Sequence, residues 1–166
     1  MTHANLPGWF DYEQAYDDAV AAASDGAGFV ELGVYAGRSL AYLAERVIAR
    51  GKRIDVYGVD RFTDFSAACV RQSMRDFRVG DVVKLIESDS DRAARWFRDG
   101  SVDFVFLDAD HSYEGVQKDI AAWRPKMKPG GVMAGHDLVR EGVHKAVQEA
   151  LGEYKAIGPL AWWVRV

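Results

Sequence analysis

The chain holds a single cysteine, Cys69, among its 166 residues. An intramolecular disulfide framework and a CxxC zinc clip are therefore excluded. No apolar run approaches the ~20 residues that a membrane helix requires. The polar start Met1-Thr2-His3-Ala4-Asn5 lacks the charged-then-apolar layout of a secretion signal. An excess of basic charge is missing as well: 21 Lys and Arg stand against 25 Asp and Glu, a net charge of −4. Such a chain has no surplus of cations to displace the counterions of a nucleic-acid backbone. Repeats, low-complexity tracts and linkers are also absent. The expectation is one cytoplasmic domain over residues 1–166, with 1–25 forming an N-terminal helix or lid, and with neither nucleic acid nor membrane as a partner.

What is present is ample core material, 49% hydrophobic and 12% aromatic. Five apolar, β-branched runs recur at 29–32, 54–59, 82–86, 102–107 and 131–134. Each is nearly continuous rather than alternating, as expected of strands covered on both faces. Segments with helical spacing surround them at 11–23, 38–49, 93–97, 115–123 and 143–151. Alternating strand and helix predicts an α/β, Rossmann-like, doubly wound and mostly parallel sheet with right-handed crossovers. The tail breaks the rhythm. Residues 153–157 and 160–166, joined by Gly158-Pro159, predict an antiparallel ending. Residues 61–80 read as a loop plus a helix.

The first strand runs into a helix through Glu31-Leu-Gly33-Val-Tyr35-Ala-Gly37-Arg-Ser39. Glycines at both ends of this turn let the backbone bend and approach a ligand. Tyr35 replaces the middle glycine of G-x-G-x-x-G, which argues against a pyrophosphate laid on bare backbone. Glu31 at the strand tip suits a ligand with a cationic end. Asp60 ends the second strand, where a carboxylate can accept from both hydroxyls of a ribose; a helix cap is the alternative. Asp89 and Ser90 follow the third strand, suited to helix capping and to bonding an adenine amino group.

The string Val102-Asp-Phe-Val-Phe-Leu-Asp108-Ala-Asp110-His111-Ser-Tyr-Glu-Gly-Val116, with Asp119, the Lys128-Pro-Gly-Gly131 bend and Gly135-His136-Asp137, resembles the class I S-adenosylmethionine-dependent methyltransferases. Within them it is similar to the metal-dependent small-molecule O-methyltransferases of the macrolide-sugar and caffeoyl-CoA types. The resemblance implies a seven-stranded sheet with a reversed strand near its end, S-adenosylmethionine as cofactor and a small-molecule acceptor. It implies that Gly33, Tyr35, Gly37 and Ser39 surround the methionine half of the donor, with Glu31 supporting the loop. Asp60 would hold the ribose, Asp89 and Ser90 the adenine, and Asp108 would border the donor. It further implies a divalent cation, magnesium or manganese, on Asp108, His136 and Asp137; the residues by themselves are also suited to helix capping by the aspartates and to a backbone bond from His136. His111, three residues after Asp108, becomes the general base. His136 departs from the acid usual at that place, which turns preference from magnesium toward manganese, iron or zinc.

Methyl transfer from a sulfonium is an in-line displacement, so the protein supplies alignment and a competent nucleophile. An alcohol needs its proton removed as the bond forms, which a cation and a nearby imidazole can accomplish. The readings left beside this one are metal-free transfer to nitrogen or carbon, a nicotinamide enzyme and a non-catalytic donor-binding module. Arg61, Arg71, Arg75 and Arg78 point to an anionic acceptor or to a solvated helix face. Trp9 and Tyr12 are expected either to pack the N-terminal segment or to close over the donor. Trp96, Trp123, Trp162 and Trp163 read as core or sheet-packing residues; taken instead as exposed on a terminal strand, Trp162 and Trp163 point to a homodimer.

Overall fold

The computed structural model describes residues 3–166, so the first two residues of the expected N-terminal segment lie outside it. Seven strands form one sheet: β1 (Ala27–Leu32), β2 (Ile54–Asp60), β3 (Val83–Glu87), β4 (Val102–Leu107), β5 (Met127–Gly135), β6 (Lys155–Ile157) and β7 (Ala161–Arg165). Their order is β3-β2-β1-β4-β5-β7-β6. The first five pair in parallel, and β7 runs antiparallel to both β5 and β6. This is the expected doubly wound sheet with one reversed strand.

Six helices cover it: α1 (Glu13–Ala22), α2 (Arg38–Ala49), α3 (Ala67–Asp76), α4 (Ser90–Ala93), α5 (Tyr113–Trp123) and α6 (Glu141–Leu151). Alternation along each strand sorts the core into two layers. Phe104 and Phe106 of β4 face α1, α2 and α3, while Val105 and Leu107 face α4, α5 and α6. Local chemistry sets several boundaries. Ser112 begins α5 by accepting from Gly115 N–H at 3.0 Å, and Ser66 begins α3 by accepting from Cys69 N–H at 3.3 Å. The sheet starts earlier than its apolar run, because Ala27 and Gly28 pair with Ile54 and Asp55 although neither has a β-branched side chain.

Three differences from expectation matter later. α1 begins at Glu13 rather than at 11, so the chain before it is free to reach elsewhere. α4 begins at Ser90 and passes into a 3-10 turn, Ala94–Trp96, instead of spanning 93–97. β7 lies inside the sheet, with β6 at the edge, and Trp162 is 1% exposed. Trp163 is only partly exposed, so the homodimer loses the exposed tryptophan pair it rested on.

Candidate functional site

β1 lies between β2 and β4, so successive crossovers leave it in opposite directions. In open α/β sheets the crevice beyond the strand ends at such a reversal receives ligands. A cavity of about 1060 Å³ opens there, lined by the loops that follow β1, β2, β3, β4 and β5 and by the N-terminal segment. Gly33 explains how two of these loops meet. Its φ is 89°, and a Cβ on it would lie 2.1 Å from the carbonyl oxygen of Asp108.

Asp60 lines the cavity and also builds its rim. Oδ2 accepts from the backbone N–H groups of Val34 at 2.7 Å and Tyr35 at 3.0 Å, and Oδ1 accepts from Phe62 N–H at 2.6 Å. These bonds hold Tyr35 and Phe62 at φ 51° and 55°, a left-handed conformation that side chains rarely adopt. Tyr35 stands at the wall, edge-on to Phe65 with ring centroids 4.8 Å apart. Ser39 is also at the wall, whereas Glu31 and Gly37 are not. Glu31 is 0% exposed behind it, accepting from the Tyr16 hydroxyl at 2.6 Å and the Ser39 hydroxyl at 2.8 Å. Burial pushes its carboxyl up to about 8, against the two hydroxyl donors. Gly37 serves packing: at φ 87°, its missing Cβ makes room for Met74 of α3.

Asp89 and Ser90 line the far side. Asp89 makes no side-chain cap bond to α4 and pairs instead with Arg92 at 3.2 Å, an exposed contact of little energy. Beneath them Asp119 of α5, also at the wall, is 2% exposed, and burial raises its carboxyl to about 6. Its signal in the sequence is an acid on the apolar face that carries Val116, Ile120 and Trp123. Arg38, inside the glycine turn but given no role there, is a further wall residue. Its Nη1 donates to Gly8 O at 2.7 Å, and its buried Nε has no partner. The expected arginine group divides. Arg61 lines this cavity, while Arg71, Arg75 and Arg78 border a separate one of about 470 Å³ beside α3 and β3.

The tips of β4 and β5 bring Asp108, His111, His136 and Asp137 together. His111 Nε2 lies 3.2 Å from Asp108 Oδ1 and 3.1 Å from Asp137 Oδ2. Asp108 foremost, through its hydrogen bond, raises the proton affinity of His111, against partial burial. His136 Nδ1 faces the same two oxygens at 3.7 and 3.8 Å, and Arg140 Nε pairs with Asp137 Oδ1 at 3.2 Å. Among the described residues, Asp108, His111 and Asp137 form the group whose potential ligand atoms all lie within 4.8 Å. None of these acids caps a helix side chain to backbone: Ser112 caps α5, and α6 has no side-chain cap. Carboxylate oxygens outnumber the donors facing them, so the donor set fits a divalent cation of the oxygen- and nitrogen-binding kind.

Residues 30–138, well over half of the chain, match the family model described as a methyltransferase domain. No curated protein matches the sequence. Among solved structures, the O-methyltransferase NovP has a TM-score of 0.80 at 16% identity, over 92% of this chain and 78% of that one. CalS11, described as a TDP-rhamnose 3'-O-methyltransferase of calicheamicin biosynthesis, gives 0.69 at 19% identity, over 92% and 77%. A structure described as a putative rRNA-methylase from Clostridium thermocellum gives 0.71 at 17%, over 96% and 99%. At these identities the structural likenesses establish the fold alone. No helix among the described residues is long and apolar enough to cross a membrane. The family match, resting on the strands and loops that build this cavity, decides the matter: the chain belongs to the class I methyltransferases, whose cofactor is S-adenosylmethionine.

Proposed function

We propose that this protein transfers the methyl group of S-adenosylmethionine to a hydroxyl of a small molecule, with a divalent cation at the tips of β4 and β5. The observation that carries the reading is the backbone contact between Gly33 and Asp108, which makes the donor turn and the acid–histidine cluster walls of one cavity. Tyr35, Ser39 and the unpartnered Nε of Arg38 border the space for the methionine half, with Glu31 and Gly37 supporting the turn from behind. Asp60 lies beside the ribose position, and Asp89 and Ser90 beside the adenine. Three of the carboxylate's lone pairs already hold backbone, so one remains for a ribose hydroxyl.

Asp108 and Asp137 supply carboxylates for magnesium or manganese, with His136 Nδ1 as the third donor. At 3.7 and 3.8 Å that nitrogen is beyond hydrogen-bond length of both oxygens, so no proton bridges the gap. A cation held by these residues would supply the positive charge that favours loss of the acceptor hydroxyl's proton. Facing two carboxylates, His111 Nε2 carries a hydrogen; it is assigned to receive the acceptor's proton once those oxygens turn to a cation and leave the nitrogen unprotonated. Nine aspartates against five arginines and lysines line the cavity, which favours a cationic donor and disfavours a polyphosphate backbone, in keeping with the net charge of −4.

Calorimetry with S-adenosylhomocysteine, followed by a panel of hydroxylated acceptors with and without a chelator, tests the reading. Binding, and turnover abolished by chelation and by Asp108→Asn, is the expected result. Turnover that survives both assigns metal-free transfer instead, and failure to bind the nucleoside overturns the donor assignment.

A further inference from the structure

Two consecutive residues ahead of α1 reach the cluster from the other end of the chain. Asp11 Oδ1 lies 2.9 Å from His136 Nε2, and the Tyr12 hydroxyl donates to Asp108 Oδ2 at 3.1 Å. Each contact leaves its partner a single orientation. A carboxylate only accepts, so His136 Nε2 carries the hydrogen and Nδ1 is the nitrogen turned to Asp108 and Asp137. The phenol has one hydrogen, and giving it to Oδ2 leaves Oδ1 as the oxygen of Asp108 that meets His111.

The two residues are themselves held. The Tyr12 ring is buried, stacked on Phe106 at 4.4 Å and edge-on to Phe10 at 4.8 Å and Tyr16 at 5.5 Å. Upstream, Arg38 Nη1 bonds Gly8 O at 2.7 Å, and His3 Nδ1 lies 2.8 Å from Glu45 Oε2 on α2. The segment is thus fixed to α2 at one end and to the cluster at the other.

We propose that Asp11 and Tyr12 are positioning residues: the segment ahead of the sheet orients the groups at its far rim, Asp11 turning His136 and Tyr12 turning Asp108. Only the cation-affinity half of the following test rests on the proposed function. Asp11→Asn keeps the shape of a half-exposed side chain, and Tyr12→Phe keeps every ring contact, so both variants are expected to fold.

Manganese affinity of the native protein and both variants is measured by electron paramagnetic resonance, and S-adenosylhomocysteine affinity by calorimetry. Ring-nitrogen shifts of His136 are read by NMR on the metal-free protein. Loss of an outer partner of this kind weakens metal binding about 10- to 100-fold. Both variants are therefore expected to lose at least about tenfold in manganese affinity, with the nucleoside bound within about twofold of native. The native His136 is expected to carry its hydrogen on Nε2, and Asp11→Asn to mix the two ring forms, since an amide can donate as well as accept. Variants that match the native protein in manganese affinity and in nitrogen shifts overturn the proposal. A native protein that binds no manganese removes the cation, and the nitrogen shifts then decide alone: unchanged in Asp11→Asn they overturn the positioning, altered they support it.

Discussion

Gly33 has no room for a side chain, because its own Cβ would fall 2.1 Å from the Asp108 carbonyl and its φ of 89° is strained for any other residue. The left-handed conformation alone costs about 1–3 kcal/mol, and the clash adds to it. Gly33→Ala is expected to lower stability by at least ~2 kcal/mol in urea unfolding and to weaken S-adenosylhomocysteine binding; an unchanged midpoint would contradict the contact. Glu31 gives a pH-dependent effect. Its carboxyl is raised from 4.5 to about 8 in the fold, chiefly by burial. A group raised on folding contributes stability that is fully present below its unfolded value and is lost as pH climbs through the folded one. Thermal stability attributable to Glu31 therefore falls between pH 4.5 and about 8. In Glu31→Gln the Tyr16 and Ser39 hydroxyls can reverse to suit an amide. Melts across that window are expected to show the variant gaining on the native protein as pH rises; a constant difference would show that Glu31 does not titrate there.

The elements differ in how far local pattern announces them. Strands β1 and β4 are legible because both of their faces are buried, so their sequences are nearly unbroken apolar runs, while β2 reads through Ile54, Val56 and Val59 although Asp55 is exposed. β7 was legible as a strand but not as an interior one, since a tail residue's neighbours are set by pairing across the sheet. Its Trp162 packs so closely on β5 that a Cβ at Gly135 would lie 2.6 Å from the indole, next to His136 and Asp137. The indole Nε1 is also buried without a partner. Trp162→Ala is expected to cost about 3–5 kcal/mol in urea unfolding. Trp162→Phe should cost markedly less, because it relinquishes a donor that the fold leaves unpaired. Equal losses would mean that the indole hydrogen is bonded. At the site, Asp108, His111, His136 and Asp137 were legible because each strand tip carries them within a few residues. The contacts of Asp11 and Tyr12 with the cluster were not, although Tyr12 was read as packing or closing over the donor: 125 positions separate Asp11 from His136, and no local spacing records such a contact. Arg38 and Asp119 stand in the motifs, yet their place at the wall was not legible: the exposure of a helix-start arginine and a helix-face acid depends on what the tertiary fold places over them.

At the scale of the whole molecule, charge is distributed for a cationic ligand. The net charge is −4, and the cavity concentrates the acidity, with nine aspartates and five arginines and lysines around about 1060 Å³. S-adenosylmethionine and its product differ by one methyl group on sulfur and the positive charge that goes with it. The hydrogen bonds and nearly all apolar contacts are therefore common to both, and the methyl's own contacts are insensitive to salt. Whatever separates their affinities in salt is then the interaction of one positive charge with the cavity's field. That field acts across an open crevice and is screened over about 10 Å at 0.1 M salt and about 3 Å at 1 M. Calorimetric titrations of both nucleosides over this range are expected to show the sulfonium losing affinity more steeply than the thioether. Asp60→Asn, which removes one of the nine charges, should reduce the difference in slope. Parallel salt dependences would mean that the aspartates are neutralised by their own arginine and histidine partners, and that the donor is held by shape and hydrogen bonding instead.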